Sequence, residues 1–452
     1  MTDASSPPVP SSSAAAPSPS STSQPPDAPA PKPAPLTVAA ARALILADVE
    51  PRAAETVDIA EVAGRVLAEA PRSLLTQPPF DASAMDGYAV RSCDLTAGAI
   101  TLDVIGESAA GHPFQGSVGT GQAVRIFTGA PLPDGADAVL LQEDARLSPD
   151  HQGAHDHDGP QSHARVTFEG AQPDPGYVRK RGMDFTAGTG LLATGTALEA
   201  RHVALAAAAG HAALRVVQRP RVAIIATGDE LVLPGTVPAA GQIVSSNHLG
   251  VAALLRAAGA APRFIGIARD TTADLQAALD QAWDADLIIT IGGASVGDHD
   301  LVGPVLRDNG TTIGFWKIAM RPGKPLMFGT RGATRVIGLP GNPVSALICT
   351  RLFAVPLVRA MLGLGEGSGA AGDVPTYHPT IAPLAANGPR EHYMRARFEP
   401  GQAGAQTTVR ALRSQDSSLL SLLAEADALI VRPIHAPAVD AGTPVPVLPL
   451  GV

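Results

Sequence analysis

The stretch RVAIIATGDE (Arg221–Glu230) carries a short apolar run into a loop of Gly, Asp and Glu. The same pattern recurs in DLIITIGGASVGDHD (Asp286–Asp300), FWKIAMRPGK (Phe315–Lys324) and VIGLPGNPVS (Val336–Ser345). Each run has the length of a buried parallel strand, and helical stretches lie between the runs. In an open α/β sheet the loops at the carboxyl ends of the strands form the ligand crevice. We therefore expect the acids, glycines and cations of these loops to meet at one site.

The alternation of these elements predicts a doubly wound α/β fold for this part of the chain. The last helix begins after LPGNP, with Asn342 as its N-cap and Pro343 at its first position. Strands are predicted at 222–226, 263–268, 286–291, 313–316, 325–328 and 334–338, and helices at 247–258, 272–283, 301–308 and 343–361.

The regions on either side differ in pattern. Residues 1–35 are almost entirely Pro, Ser and Ala, which cannot bury enough apolar surface to fold, so we predict disorder there. Apolar spacing favours a helix at Thr37–Asp48, capped by its threonine, and a second amphipathic segment at Val57–Ala70. At Ile100–Arg179, and again after the Gly-rich linker at 364–373, short β runs with Gly and Pro turns predict two small β units.

Composition excludes several classes of protein. The 452 residues include 33 basic and 42 acidic ones, a net charge of −9, which argues against a broad nucleic-acid surface. The two cysteines, Cys93 and Cys349, match no zinc spacing and are better explained as small semi-buried residues than as a nucleophile. We find no apolar run of membrane-spanning length and no basic start or apolar core of a signal peptide. We therefore expect a cytoplasmic protein with no membrane or nucleic-acid partner.

Three polar features lie outside the α/β region. FDASAMDGYAVR (Phe80–Arg91) holds Asp86 in a turn, TGAP (Thr128–Pro131) exposes a hydroxyl and backbone N–H groups, and RKRGMD (Arg179–Asp184) sets three cations beside an acid. Each is compatible with a plain turn or solvated surface, and each with the rim of a functional cleft. The insertion Ser148–His163 contains four histidines. Its Gly- and Asp-rich sequence is typical of a flexible loop, which does not hold the fixed geometry of a metal site.

The loops of the α/β region contain the groups for chemistry. GGASVG (Gly292–Gly297) follows a buried strand and can bind an anion through successive backbone N–H groups, although it is neither a dinucleotide fingerprint nor a P-loop. Acids follow the strands at Asp229, Glu230, Asp270, Asp298 and Asp300. Such carboxylates would repel one another unless a cation such as Mg²⁺ lies among them. A helix N-cap is the competing explanation for any one acid, above all for Asp300.

The next two loops attract anions. Lys317, Arg321 and Lys324 lie in a loop stiffened by Pro and Gly, which suits an oxyanion or a phosphate. Leu339–Ser345 then begins a helix, and helix N-termini attract anions. Acids for a metal, cations and N–H groups for anions, and the lack of a plausible covalent nucleophile favour phosphate-ester or phosphoanhydride chemistry driven by metal and positioning.

Six motifs occur together and in order. They are SAMDGYAV (Ser83–Val90), RIFTGAPLP (Arg125–Pro133), ATGDEL (Ala226–Leu231), GGASVGDHD (Gly292–Asp300), FWKIAMRPGKP (Phe315–Pro325) and LPGNPVSA (Leu339–Ala346). From about residue 37 onward the chain therefore resembles the MoeA/gephyrin E-domain family of molybdopterin molybdenumtransferases. The resemblance implies a transferase of molybdenum cofactor biosynthesis that binds molybdate and adenylylated molybdopterin with Mg²⁺. The phosphoanhydride is cleaved in that reaction, AMP leaves, and the dithiolene receives molybdenum.

The resemblance also implies a multidomain α/β plus β fold. The expected parts are a disordered tail (1–36), an elongated helical domain (37–75 and 189–219), an inserted β-barrel-like domain (76–188), a MoaB/Mog-like doubly wound α/β domain (220–365) and a small C-terminal β domain (373–452). A head-to-tail homodimer is implied, with the active site between the α/β domain of one subunit and the N-terminal part of the other. Candidate protein partners are the adenylyltransferase and apo-molybdoenzymes or their chaperones.

Individual residues receive roles from the resemblance. Catalytic roles fall on Asp86, Glu230, Asp300, Lys317 and Lys324, and the metal ligands would be Asp229, Glu230 and Asp300. Substrate binding is expected from Thr128, Asp184, Asp229, Asp270, Gly292, Gly293, Ser295, Gly297, Arg321, Pro340, Asn342, Pro343, Arg395 and Ser417. Arg321 stands where many members have lysine, which keeps the charge but replaces a point charge with a planar fork.

Three other functions share part of this pattern. Adenylylation of molybdopterin uses the same α/β fold, but the additional regions 37–217 and 373–452 argue against it. A scaffold that has lost the chemistry would not need the acids and lysines that are all present here. A Rossmann oxidoreductase is disfavoured because the GxGxxG fingerprint is missing.

Overall fold

The computed structural model describes residues 1, 5–9, 35–147, 164–170, 172–293, 301–365, 374–401 and 406–451. Most of the tail predicted at 1–36 lies outside these ranges, and so do the histidine insertion and most of the Gly-rich linker. The predictions made for those three segments stay predictions. The chain from Leu36 onward forms a single unit.

The first helix belongs to the core of the α/β domain. α1 (Val38–Leu46) begins as the sequence predicts, with the Thr37 hydroxyl accepting a hydrogen bond from the Ala40 N–H at 3.2 Å. Its buried face consists of Val38, Ala41 and Ile45, which share the main hydrophobic cluster with the α/β sheet and its helices. The apolar spacing of this segment therefore reflects docking of one helix face.

The segment after α1 is extended rather than helical. β1 (Ala54–Asp58) and a 3₁₀ turn (Ile59–Glu61) are followed by irregular chain, so the apolar spacing at Val57–Ala70 does not form the helix it indicated. The Gly64 N–H donates to the Leu198 carbonyl at 2.8 Å, and Gly64 has a φ of +72°. Backbone pairing with a distant segment therefore outweighs the local helical tendency.

Short β strands fill the next region, as predicted. The strands are β2 (Ala82–Ser83), β3 (Gly87–Val90), β4 (Ala99–Ser108), β5 (Gln122–Ile126), β6 (Ala138–Leu141), β7 (Ala145–Leu147), β8 (Arg165–Glu169) and β9 (Val178–Arg179). Six of them form one sheet in the order β6-β3-β5-β4-β8-β7, and β2 pairs with β9. Alternate residues of β3 enter separate hydrophobic clusters, Tyr88 with Phe168 on one face and Ala89 with Val124 on the other.

The strands and helices predicted for the α/β domain are present. α2 (Ala200–Ala208) and β10 (Ala213–Val217), which pairs with β1, lead into it. Its elements are β11 (Arg221–Thr227), β12 (Leu231–Val232), β13 (Ile243–Val244), α3 (Asn247–Ala257), β14 (Ala261–Ala268), α4 (Thr272–Asp280), β15 (Leu287–Ile291), α5 (Val302–Asp308), β16 (Thr312–Trp316), β17 (Met320–Arg321), β18 (Met327–Arg331), β19 (Thr334–Leu339), α6 (Pro343–Cys349) and α7 (Val355–Met361).

The sheet is mixed rather than wholly parallel. Its order is β14-β11-β15-β19-β18-β16, in which the first four strands are parallel and the last two are joined by antiparallel pairing. β16 runs in the same direction as these four strands, but its neighbour β18 is antiparallel to it, so the expectation of a buried parallel strand at Phe315 is wrong in its pairing and in its burial. The tight turn between β18 and β19, with Gly332 at φ +56°, forces antiparallel pairing because a parallel crossover needs a much longer connection.

Pro343–Met361 forms one helical stretch, made of α6, a π-helical turn (Thr350–Ala354) and α7. Its 19 residues and mean hydropathy of 1.6 would suffice by length and composition to cross a membrane. The expectation that no apolar run reaches that length is therefore wrong. Burial of 89% of this window inside the protein is typical of a core helix.

The last region is a β unit, as the sequence predicts. Its elements are β20 (Thr376–Pro379), β21 (Glu391–Glu399), β22 (Thr408–Ala411), α8 (Leu420–Ala424), β23 (Ala428–Arg432) and β24 (Pro444–Pro449). β17 of the α/β region pairs in parallel with β21 and so joins the C-terminal sheet, whose order is β17-β21-β23-β24-β20 with β22 on β21. The cationic loop around β17 is therefore held by both the α/β region and the C-terminal sheet.

Candidate active site

One register row crosses the α/β sheet and defines its functional edge. Neighbouring strands pair along this row through Ile225, Thr290, Gly338, Met327 and Trp316. The loops that follow β11, β15 and β19 leave the sheet just beyond the row. The loop between β16 and β18 leaves at the same edge, because β18 runs antiparallel to β19. The structure therefore sets all four loops singled out in the sequence side by side.

Glycines allow three of these loops to touch. The Gly292 N–H donates to the Leu339 carbonyl at 3.1 Å, and Gly292 has a φ of +97°. A Cβ on Gly292 would lie 2.7 Å from the Thr227 carbonyl oxygen, and one on Gly341 would lie 3.8 Å from the Gly292 Cα. A side chain at Gly292 would therefore push this loop away from the end of β11, whereas the distance at Gly341 is an ordinary contact between the two loops. Outside the described residues lie Ser295, Gly297, Asp298 and Asp300.

The acids at this edge differ in their contacts. The Asp229 carboxylate accepts a hydrogen bond from the Asp270 N–H at 3.3 Å, and both side chains are exposed. Glu230 is exposed as well, and its carboxylate folds back over Gly228, where a Cβ would collide with it. Gly228 has a φ of +148°, a conformation that side chains rarely adopt. Glycine at 228 therefore keeps the space that Glu230 occupies.

Asp229 and Glu230 fit the needs of a Mg²⁺ ion that also binds phosphate. Such an ion takes one or two carboxylates and completes its shell with phosphate oxygens and water. Among the residues that the structure describes, no three His, Cys, Asp or Glu side chains are grouped so as to hold a metal ion. The third predicted ligand, Asp300, lies outside those residues. The predicted set of three acids therefore stays a prediction.

The two lysines assigned catalytic roles from the sequence lie at the two ends of a tight loop that backbone hydrogen bonds close. The Lys317 N–H donates to the Leu326 carbonyl at 3.0 Å, and the Ile318 N–H donates to the Lys324 carbonyl at 3.1 Å. Lys317 has a φ of +130°. A residue other than glycine held in such a region costs about 1–3 kcal/mol, and strain of this kind clusters at functional sites. The half-buried Lys317 is therefore held in a disfavoured backbone conformation beside the exposed Lys324.

Arg321 lies beside a buried histidine that sequence reasoning missed. Strand pairing sets Arg321 opposite His392, which is 9% exposed and whose Nε2 has no hydrogen-bond partner among the described residues. Burial, and then the charges of Arg321, Arg390, Arg395 and Arg432, lower the pKa of His392 to about 4. Arg395 and Arg432 are buried, whereas Arg321 and Arg390 are exposed, so these two guanidinium groups make a positive surface region that suits an oxyanion. Only the pairing of β17 with β21 brings Arg390 here, and no local sequence signal could have shown it.

The start of α6 is joined to the C-terminal domain. Asn342 holds the N-cap position, but its side chain does not cap the helix; its Nδ2 donates to the Ser417 hydroxyl at 3.0 Å. The Val344 N–H donates to the Ser417 carbonyl at 3.2 Å. Arg395 is 1% exposed, and its guanidinium donates to the carbonyls of Ser414, Asp416 and Leu419. These bonds give Arg395 a positioning role for the loop that holds Ser417.

The predicted residues of the β unit form a second group. Asp86 Oδ1 accepts two hydrogen bonds from Thr128, one from its N–H at 2.8 Å and one from its hydroxyl at 2.9 Å. The backbone bond and then the hydroxyl bond hold the pKa of Asp86 below its usual value. Ser83 joins both turns, because its backbone bonds to Gly129 and Ala130 while its hydroxyl donates to the Met85 carbonyl at 2.6 Å. The MDG and TGAP turns therefore form one rigid polar platform.

Asp81 ties the basic run to this platform, and sequence reasoning did not single it out. Its carboxylate accepts hydrogen bonds from the Lys180 ammonium at 2.9 Å and from the Arg181 N–H at 2.8 Å. The Lys180 bond is the main cause of the lowered pKa of Asp81. Asp184 is exposed, and its N–H donates to the Gln77 carbonyl at 3.1 Å. Lys180 is thus partly neutralised, whereas the Asp184 carboxylate faces solvent.

Comparison with known proteins shows the family of the chain. Residues 36–210 match the MoeA N-terminal region (domain I and II), 223–360 match a probable molybdopterin binding domain, and 379–450 match the MoeA C-terminal region (domain IV). A molybdopterin molybdenumtransferase of Nostoc sp. is 37% identical over 413 residues, covering 88% of this chain and 89% of that protein. The chain belongs to the MoeA family of molybdopterin molybdenumtransferases.

Further relatives of this MoeA-family enzyme agree. A molybdopterin molybdenumtransferase of Haemophilus influenzae is 35% identical over 403 residues, covering 88% of this chain and 94% of that protein. The crystal structure of a molybdopterin biosynthesis MoeA protein from Pyrococcus horikoshii superposes with a TM-score of 0.76 at 28% identity, covering 93% of this chain and all of that one. The resemblance and the multidomain α/β plus β fold predicted from the sequence are thus confirmed. The MoeA-family chain is a transferase of molybdenum cofactor biosynthesis.

Proposed function

We propose that this enzyme inserts molybdenum from molybdate into adenylylated molybdopterin and releases AMP in a Mg²⁺-dependent reaction. The observation that carries the proposal is the register row from Ile225 to Trp316, which sets four functional loops along one sheet edge. A substrate with a phosphoanhydride, a pterin and a dithiolene needs anion-binding N–H groups, cations and acids within one cleft. These loops supply all three kinds of group.

The phosphates fit the positive side of this edge. The glycine loop predicted after β15 and the positive end of the α6 dipole would attract phosphate oxygens, although the N–H groups of Gly292 and Val344 are themselves bonded to the carbonyls of Leu339 and Ser417. Lys317 and Lys324, which lie at the two ends of the cationic loop, would neutralise the charge that develops on the departing AMP. Asp229 and Glu230 would hold Mg²⁺, which supplies charge neutralisation at the phosphate oxygens when bound. Gly228 keeps the Glu230 carboxylate over the turn at the end of β11.

Molybdate is a tetrahedral dianion and requires a positive pocket. Arg321, Arg390 and the neutral His392 lie together where β17 joins β21, next to the loop that contains both lysines. Planar guanidinium groups bind such oxyanions through paired hydrogen bonds. We therefore assign the molybdate-binding end of the cleft to this region, with the Ser417 loop beside α6 as a second source of polar contacts.

We propose a homodimer in which the Asp86–Thr128 platform completes the site of a partner subunit. Several large apolar side chains are exposed in the part of the chain that contains the platform. Exposed apolar side chains are a feature of protein interfaces, and a polar platform in the same region suits a site shared between subunits. The exposed fractions are 60% for Leu74, 53% for Leu75, 40% for Phe80, 38% for Met85 and 66% for Met183.

The reaction is tested by AMP release from adenylylated molybdopterin. Purified protein is mixed with molybdate and Mg²⁺, with one control lacking molybdate, and active cofactor is scored by reconstituting an apo-molybdoenzyme. We expect molybdate-dependent AMP release, and we expect the folded Glu230→Ala variant to lose turnover because Glu230 is one of the acids at the cleft. Full activity of that variant would show that Glu230 is not needed for the reaction. AMP release at the same rate with and without molybdate would refute the proposed reaction.

The shared site is tested by mixing two inactive variants. Asp86→Asn and Glu230→Ala are combined after partial dissociation, so that mixed dimers form. If each site takes Asp86 from one subunit and Glu230 from the other, a mixed dimer regains one intact site and activity returns to about a quarter of wild type by random assortment. Sedimentation measures the subunit number in the same samples. Mixed dimers that remain inactive would show that both residues act within one subunit.

A further inference from the structure

Lys317 stands where the chain crosses from one face of the α/β sheet to the other. The preceding residue, Trp316, packs against the hydrophobic cluster that contains Val302 and Leu306. The following residue, Ile318, is fully buried in the cluster on the opposite face. The φ of +130° at Lys317 is the consequence of anchoring its two neighbours in different cores. The direction of the lysine therefore depends on how firmly each neighbour is anchored.

The anchor of Trp316 is a glycine in helix α5. A Cβ on Gly303 would overlap the indole ring, so the ring lies directly on the helix backbone. Gly303 is not among the residues with positive φ, so the helix conformation itself does not require glycine at this position. Alanine would favour the helix by about 1 kcal/mol over glycine. The missing side chain therefore serves the packing of the ring, which Arg307 also approaches at 5.9 Å from its centroid.

The same helix supports the glycine loop. Val302, the first residue of α5, lies where a Cβ on Gly293 would come within 2.6 Å of its side chain. Gly293 has a φ of +58°. Helix α5 thus contacts the backbone after β15 through Val302 and the cationic loop through Gly303 and Trp316. One short helix joins two of the loops that form the cleft.

We propose that Trp316, seated on Gly303, is a positioning residue that sets the direction of Lys317 and couples it to the glycine loop. The proposal rests on the role given to Lys317 in the proposed reaction. Trp316 itself lies on the helix side of the sheet and acts through its neighbour. Filling the space at Gly303 should therefore disturb turnover without removing any group that contacts substrate.

The test combines two substitutions in the full-length protein. Gly303→Ala pushes the ring outward, and kcat should fall about tenfold to 100-fold, the scale expected for displacement of a catalytic group by roughly 1 Å. KM should change by less than about twofold, since the groups that bind the ground state remain. Trp316→Phe shortens the ring and should cost less. The double variant, in which the added methyl fills the vacated space, should recover most of the kcat lost in Gly303→Ala.

A second readout follows the lysine directly. The rate of acetylation of Lys317 by acetic anhydride is measured by mass spectrometry against Lys324 as internal standard, and Gly303→Ala should change this ratio. Trp283→Phe is the matched control, because Trp283 packs in the same cluster under Arg331, 4.1 Å from its ring centroid, and should leave kcat and the ratio unchanged.

The outcomes separate the two proposals. A folded Gly303→Ala protein with wild-type kcat and an unchanged Lys317 ratio overturns the positioning role. If that variant does not fold, wild-type values in Trp316→Phe overturn the role instead. A loss in Trp283→Phe equal to that in Trp316→Phe would also overturn it, because general core packing would then explain both. If the wild type shows no molybdate-dependent turnover, the proposed function fails while the acetylation ratio still tests the positioning of Lys317.

Discussion

We expect Gly228→Ala, just after the end of β11, to lower the activity of a protein that still folds. Its φ of +148° is disfavoured for alanine, which costs about 1–3 kcal/mol of folding free energy. The added methyl also collides with the Glu230 carboxylate, which is the end of a flexible side chain and can rotate away. The collision therefore adds little to the loss of stability but moves Glu230. A displacement of roughly 1 Å should lower kcat by about tenfold to 100-fold.

The chain offers a matched control for the strain. Gly235 has a φ of +90°, and a Cβ there would meet no atom within 4 Å. Gly235→Ala should therefore lose a similar stability of about 1–3 kcal/mol and keep its activity. Stability is measured by urea unfolding and activity by molybdate-dependent AMP release. Equal kcat values in the two folded variants would refute the reasoning, because backbone strain alone would then explain everything that Gly228 does.

Three further predictions concern other parts of the site and its supports. Arg335→Ala should destabilise the protein by about 1–2 kcal/mol in urea unfolding, because Arg335 donates to three carbonyls at the end of α1, and Arg335→Lys should recover only part of this. Thr128→Val removes one of two hydrogen bonds to Asp86, so the pKa of Asp86 should rise toward its usual value and the acid limb of kcat/KM should move to higher pH; an unmoved limb contradicts this. The pKa of His392 is about 4 in the folded protein, below its usual value, so the unfolded chain binds the extra proton first as pH falls from 6.5 toward 4. The free energy of unfolding of the wild type should therefore fall by about 3 kcal/mol relative to His392→Gln across that window, and an equal fall in both proteins would exclude the effect.

Local patterns predicted the elements of the α/β domain with small errors at their ends. The apolar run of β11, predicted at 222–226, extends from Arg221 to Thr227, and the helix predicted at 247–258 is α3 from Asn247 to Ala257. These elements are recognisable because their apolar period and their Gly and Pro boundaries are local properties. The helical spacing at Val57–Ala70 predicted the wrong structure for the opposite reason. Its partners at 196–198 are distant in sequence, and no local period records them.

The candidate site divides in the same way. The sequence singled out Asp86 and Thr128 as separate residues, whereas the structure joins them through two hydrogen bonds to one carboxylate oxygen. The substrate-binding role expected for Arg395 stays a prediction, and the structure adds that its guanidinium group donates to three backbone carbonyls. Residue type and motif order identify which side chains matter. They do not reveal which of those side chains form hydrogen bonds within the protein itself.

The sequence by itself determined the alternation of strands and loops, the charge of each loop and the family, because these depend on residue type and spacing along the chain. Only the tertiary structure decided which loops share an edge. It paired β16 with the reversed strand β18, placed Arg321 opposite His392 and packed Trp316 against Gly303. The physical reason is that strand register and close packing depend on contacts between segments far apart in the chain. Complementary shape and backbone pairing decide those contacts, and local propensity does not.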